Sequence, residues 1–164
     1  MQKKENLKNY TVCFTGHRKI PERERETLPL RLRETVVTLI ERGYRYFGVG
    51  GALGFDTLAA KTVLDLKCDY PQIKLILVLP CKNQTEKWSE YDKTVYNEIL
   101  KRADKVRYLY ENYEQGCMHA RNRLLVDESS VCVCYHTHSG GGTDYTVGYA
   151  YEKKIEVINL ASWR

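Results

Sequence analysis

The chain has 164 residues, with 26 Lys plus Arg against 21 Asp plus Glu and a formal charge of +5 at neutral pH. That length fits one domain, and the mild positive excess suits an anionic ligand without requiring nucleic acid. The longest purely aliphatic run, Leu75 to Leu79, is far short of a membrane span or a signal core, so a cytoplasmic protein with no membrane partner is expected, and its six cysteines are expected as reduced thiols.

A polar N-terminal arm over residues 1–10 precedes a first strand, Thr11 to Thr15. The charged loop Lys19 to Glu26 leads into a helix in which Leu28, Leu32, Val36, Leu39 and Ile40 keep helical spacing, with Thr27 as N-cap and Gly43 as its stop. A second strand, Arg45 to Val49, runs into the glycine turn of Gly48-Val49-Gly50-Gly51-Ala52-Leu53-Gly54-Phe55-Asp56, and the helix after it carries Ala59, Thr62, Val63 and Leu66 on one face. Lys74 to Leu79 reads as a strand covered on both faces and stopped by Pro80. Next come the loop Cys81 to Gln84, a helix with Val95, Ile99 and Ala103 on one face, and a fourth strand, Lys105 to Tyr110. A helix from Met118 to Asp127, a fifth strand from Val131 to Tyr135, a glycine-rich loop and a last helix with Val147, Ala150 and Tyr151 follow, and a strand from Ile155 to Leu160 closes the chain.

Six short strands separated by crossover helices predict an α/β fold with a doubly wound, mainly parallel sheet in a single domain. The unusual residues all follow the C-terminal end of a strand, which is the ligand edge of such a sheet. Gly50, Gly51 and Gly54 are candidates to cradle a phosphate, because their backbone can approach a ligand where the next helix points its first N–H groups outward. Thr15 and Gly16 precede His17 and Arg18, a titratable ring and a guanidinium suited to phosphate or carboxylate. Asp56 reads either as an N-cap or as an acceptor of sugar hydroxyls. Arg121 and Asn122 lie about 100° apart on a helix, so one of them, Arg121, is expected to point squarely into the crevice. Gly141, Gly142 and Thr143 open the last helix and could hold a second phosphate or a ribose.

Several chemistries fail on spacing. The G-x-G-x-x-G fingerprint of dinucleotide binding breaks because Leu53 occupies the third glycine's slot, and Leu79-Pro80 stands where an acidic residue would hold a ribose diol. No metal site is expected: Cys117, His119, Cys132, Cys134, His136 and His138 lack the paired cysteine spacing of zinc. Thirteen tyrosines are scattered along the chain without the basic interleaving of a single-strand binding surface.

The segments Cys13 to Arg18, Gly51 to Thr57, Pro80 to Gln84 with Asn83, Trp88, Gly116 to Arg123 and Gly141 to Thr143, in that order, resemble the YpsA-like branch of the SLOG superfamily, which joins the DNA-processing protein A and the Lonely Guy enzymes. The resemblance implies a Rossmann-like fold and a nucleotide-derived ligand, of nucleoside phosphate, ADP-ribose or NAD-derivative class, held in a sensor-like role. It implies no required cofactor and, since a homodimer is common among such relatives, a homodimer as a possible partner state. Met118-His119-Ala120-Arg121-Asn122 is similar to the M-H-x-R-K of the Lonely Guy phosphoribohydrolases, which places Arg121 at their catalytic arginine, with Asn122 in place of the lysine. Thr146 stands where their catalytic glutamate belongs, so a hydrolase would need Asp56 or Asp144 instead, together with Arg121. Binding of a small nucleotide ligand is therefore the leading expectation. Hydrolysis of an N-glycosidic bond comes second, and a single-stranded DNA module, with nucleic acid an unlikely partner, third.

Overall fold

The computed structural model describes residues 6–161. Its core is one six-stranded, wholly parallel sheet in the order β4-β3-β2-β1-β5-β6. The strands are β1 Thr11–Gly16, β2 Tyr46–Val49, β3 Lys74–Cys81, β4 Lys105–Tyr110, β5 Val131–Tyr135 and β6 Glu156–Asn159. The helices between them are α1 Thr27–Glu41, α2 Phe55–Leu66, α3 Glu90–Arg102, α4 Cys117–Asp127 and α5 Gly141–Glu152. The chain winds outward from β1 through β4, then α4 carries it back across the sheet so that β5 pairs on the other side of β1. The winding direction therefore reverses between β1 and β5, and the loops leaving those two strands diverge there to leave a crevice.

Period-2 alternation divides the core. Val12 and Phe14 of β1 and Val131, Val133 and Tyr135 of β5 face one side, where they pack with Leu28, Leu32, Val36 and Leu39 of α1 and with Phe55, Ala59 and Val63 of α2. Cys13, Cys132 and Cys134 face the other side and pack beneath Leu125, Val126, Val147 and Ala150 of α4 and α5. Cys13 lies opposite Cys132 in register. These thiols are free and buried, so they serve as small fillers where the two helices press closest to the sheet.

Three local expectations differ. Residues 1–5 of the polar arm lie outside the described residues, but Leu7–Tyr10 form a short 3-10 helix in which the Asn6 side chain accepts from the Lys8 N–H, and the Tyr10 ring lies 4.7 Å from the Arg45 guanidinium. Thr27 is the first helical residue of α1 rather than its cap, since the turn Glu22–Glu24 leads the chain in and Glu26 holds the cap position without a side-chain bond. Pro80 does not stop β3, which continues to Cys81. By that point β2 has ended, at Val49 opposite Leu77, and only β4 remains alongside, so the missing N–H costs no ladder bond on the vacant side.

Gly54 shows how tightly the second βα turn is packed. Its φ is +78°, and a Cβ there would collide with the backbone carbonyl of Arg18. Gly54→Ala is expected to destabilise by about 2 kcal/mol, which lowers the thermal midpoint by roughly 4 to 8 °C. Gly148→Ala, in helix α5 with open space around it, is the control and should be neutral or slightly stabilising. Equal midpoints for the two variants in a calorimetric scan would contradict this account.

Candidate functional site

A cleft of about 410 Å³ opens at the reversal between β1 and β5. Thr15, Gly16, His17 and Arg18 form one wall, Met118, His119, Arg121 and Asn122 another, and His138 with Gly140 to Thr143 a third, while Ala52 and Asp56 close the base. Ten of the expected ligand residues thus meet: Thr15, Gly16, His17, Arg18, Asp56, Arg121, Asn122, Gly141, Gly142 and Thr143. Gly50, Gly51, Gly54 and Asn83 do not join them. Gly51 and Gly54 border a different cavity, and Asn83 accepts the Tyr113 N–H at 2.9 Å, so it staples the loop after β3 to the loop after β4.

The place expected for phosphate at Gly50 is taken by the protein itself. Arg121, only 4% exposed, donates from Nη1 to the Gly50 carbonyl and from Nε to Asn122 Oδ1 at 2.6 Å, with Nη2 3.7 Å from Met118 Sδ. A Cβ at position 50 would strike this guanidinium, which is the physical reason for glycine there. Arg121 and Asn122 are therefore bonded to each other and both line the cleft, where the 100° rule favoured one alone.

Asp56 is 6% exposed, and its Oδ2 accepts the Ala52 N–H at 3.1 Å, which folds the glycine turn back on the start of α2. Burial raises its pKa to about 6 against the pull of Arg121, the Ala52 N–H and Arg18. Burial also lowers the pKa of Arg121 while the attraction of Asp56 opposes it. No ion pair joins the two among the described residues; each makes one hydrogen bond to the glycine turn, Arg121 to Gly50 and Asp56 to Ala52.

His17 is held in one tautomer. Its Nε2 accepts the Thr137 N–H at 3.0 Å, which leaves the proton on Nδ1, and its ring stacks on His138 at 3.9 Å. Burial, then the neighbouring His138 and His136, lower its pKa to about 4. On the far side of this cluster His136 Nε2 lies 2.8 Å from Asp144 Oδ1, while Asp144 Oδ2 accepts the Gly140 N–H at 2.9 Å. These contacts, the Gly140 bond foremost, lower the Asp144 pKa. Asp144 thereby fastens the glycine loop to α5, and it is not among the cleft residues.

What remains open in the cleft is a set of donors. The hydroxyls of Thr15 and Thr143 and the guanidinium of Arg18 form no hydrogen bond or ion pair among the described residues, and all three line the cleft. The first N–H groups of α5, from Gly141 on, have no acceptor within the helix. Besides Gly140, which belongs to the same glycine run as Gly141 and Gly142, four lining residues escaped sequence reasoning as ligand candidates: Ala52, Met118, His119 and His138. His119 stacks on Tyr145 at 4.1 Å. The histidines were visible only as possible zinc ligands, and no arrangement of three metal-ligating side chains occurs among the described residues.

These features define a Rossmann-like α/β domain with a donor-rich polar cleft at its topological switch point. The chain belongs to the YspA SLOG family, whose model matches residues 13–160. It is 30% identical over 125 residues to a UPF0398 protein of Brevibacillus brevis, covering 74% of this chain and 66% of the relative. To a UPF0398 protein of Bacillus cereus it is 27% identical over 142 residues, covering 84% and 76%. Among solved structures it superposes on DNA processing protein A from Streptococcus pneumoniae with a TM-score of 0.69 at 17% identity, covering 95% of this chain and 52% of that one. The DNA processing protein A of Helicobacter pylori, whose structure concerns its single-stranded DNA binding mode, gives a TM-score of 0.67 at 20% identity, covering 98% and 69%. The chain thus spans about two thirds of the Brevibacillus relative and about half of the pneumococcal protein. At these identities the two solved structures share the fold. No helix of the described residues is long and apolar enough to cross a membrane.

Two outcomes follow from the site. Replacing Arg121 by Ala leaves the Gly50 carbonyl and Asp56 without their buried cation, so Arg121→Ala should cost about 3 kcal/mol of stability. A chemical denaturation curve superposing on the wild type would overturn the bracing role. For His17 the unfolded ring takes a proton near pH 6.5 and the folded ring only near 4, so between those values the unfolded state binds more protons and the His17 contribution to stability falls as pH falls. An NMR titration should find the His17 ring titrating near pH 4; a midpoint above 6 would contradict the buried, acceptor-bound geometry.

Proposed function

We propose that this protein binds a nucleotide-derived small molecule in the cleft between β1 and β5, with its phosphate on the open donors. The carrying observation is the convergence of Thr15, Arg18, Thr143 and the α5 N-terminus on one cleft without partners of their own. A phosphate or pyrophosphate supplies acceptors for all of them. Arg121 and the glycine turn shape the cleft floor, and Asp56, which lines the cleft and has one oxygen not bonded to Ala52, is the acceptor for a sugar hydroxyl.

Binding without cleavage is the favoured reading. Thr146, at the position of the Lonely Guy glutamate, is 2% exposed and turns its hydroxyl to the Gly142 carbonyl at 2.8 Å. Asp144 is committed to His136 and Gly140, and Asp56 is locked on Ala52. Asp56 is the one carboxylate among the described cleft residues, so no second carboxylate stands there to complete the pair that glycosidic cleavage uses. A sensor-like role in the cytoplasm, without a required cofactor and compatible with a homodimer, accords with this reading. The single-stranded DNA reading is supported by the fold shared with the Helicobacter protein, and the same donors would then engage backbone phosphates.

A thermal-shift panel of AMP, ADP-ribose and a short single-stranded oligonucleotide tests both. A ligand at a hundred times its dissociation constant stabilises by about 2.7 kcal/mol, raising the midpoint by roughly 5 to 10 °C. Thr143→Val should weaken the responding nucleotide by about tenfold, one hydrogen bond to a charged group, with an unchanged unliganded midpoint, and chromatography should detect no released base. A shift with the oligonucleotide alone, with affinity falling steeply with salt, would replace the small-molecule reading. Wild-type affinity in Thr143→Val would remove the α5 end from the site.

A further inference from the structure

On the other side of the glycine turn lies a second cavity, of about 490 Å³, between α2 and α3. Its character is the reverse of the cleft. Leu58, Val95, Tyr96 and Ile99 give it apolar walls, and Trp88 packs edge-on against Tyr96 with ring centroids 5.5 Å apart. The Tyr96 hydroxyl accepts from Gln84 at 3.2 Å, which fixes the phenol ring as part of the wall. A volume of this order with apolar, aromatic walls is what small-molecule sites present.

Its rim is cationic. Arg18, Arg25 and Lys61 border the cavity, and none of their side chains has an ion pair or hydrogen bond among the described residues. Two carboxylates also border it. Asp56 points its bonded oxygen at Ala52 and is pushed toward the neutral form by burial. Asp92 sits in the first turn of α3, whose N-terminus favours a negative charge. Arg18 feels the pull of Asp56, but no carboxylate meets the Arg25 and Lys61 side chains in an ion pair among the described residues, and a ligand that fills the apolar walls while meeting those two cations carries negative charge.

We propose that this cavity is a second binding site, for a planar aromatic group bearing an anionic substituent. The ring lies between Leu58, Val95 and the Trp88–Tyr96 pair, and the anion reaches Arg25 and Lys61 at the rim. Because Arg18 and Asp56 border both spaces, the ring can be that of a separate aromatic carboxylate, or the base of a nucleotide whose phosphate supplies the negative charge at Arg18, on the rim the two spaces share. The site itself does not depend on the cleft reading.

Isothermal titration with indole-3-acetate, uncharged indole, AMP and inorganic phosphate separates these. Indole-3-acetate should bind one per chain and at least tenfold tighter than indole. The double reversal Arg25→Glu/Lys61→Glu, at two exposed positions, should abolish that preference without changing the thermal midpoint. Val95→Trp, which fills the cavity, should abolish indole-3-acetate binding while leaving phosphate binding as in the wild type. If AMP also weakens in Val95→Trp, the base occupies the cavity; if AMP is unaffected, the cavity serves a separate aromatic acid. Equal affinity for indole and indole-3-acetate, or undiminished indole-3-acetate binding in the double reversal, overturns the proposal. Failure of AMP and phosphate alone overturns the cleft reading and leaves this one standing.

Discussion

The buried guanidinium of Arg121 is the constraint on which the rest of the site depends. It reaches from α4 beneath the turn between β2 and α2 and holds the Gly50 carbonyl, so two crossover connections on opposite faces of the sheet share one charged hydrogen bond. Charge-assisted bonds of this kind are strong where water is excluded, and they are costly to leave half made. The surrounding chain is arranged to keep it whole: position 50 has no side chain to obstruct it, Asn122 Oδ1 accepts from its Nε–H, and Asp56 lies near enough to offset its charge.

This bracing explains the division of the molecule into two spaces. The glycine turn cannot wrap a phosphate in the usual manner because its inner surface already holds Arg121 and its outer surface is pressed by the Arg18 backbone at Gly54. It acts instead as a partition. One side is a polar cleft whose open groups are donors, and the other is an apolar cavity with a cationic rim. Arg18 stands at the join and borders both.

The histidine cluster joins the first and third walls of the cleft. His17 leaves β1 and His136 and His138 leave β5, so neighbouring parallel strands deliver the rings to one place. Acceptance of the Thr137 N–H by His17 and the Asp144 contacts with His136 and Gly140 turn a glycine-rich loop into an ordered helix entrance. A donor surface that is already ordered loses little entropy on meeting an anion.

Much of the fold was legible in the sequence for a physical reason. Strands buried on both faces need continuous apolar runs, and α1 needs its leucines at helical spacing, so β1, β3, β5 and α1 appear in composition and periodicity alone, while the half-exposed edge strands β4 and β6 are marked by their place in the alternation. The rule that ligands meet the C-terminal strand ends also located Thr15 to Arg18, Arg121, Asn122 and Gly141 to Thr143 before any contact was known. Sequence could not tell whether a glycine makes room for a ligand or for the protein. Gly50 yields to Arg121, 71 residues away, and Gly54 to the Arg18 backbone, and such approaches exist only once the sheet has brought distant segments together. Asn83, Asp144 and Thr146 look equally chemical as letters. Their hydrogen bonds to Tyr113, His136 and Gly142 assign them to holding loops and helix in place, because a polar side chain's role is decided by which partner reaches it first.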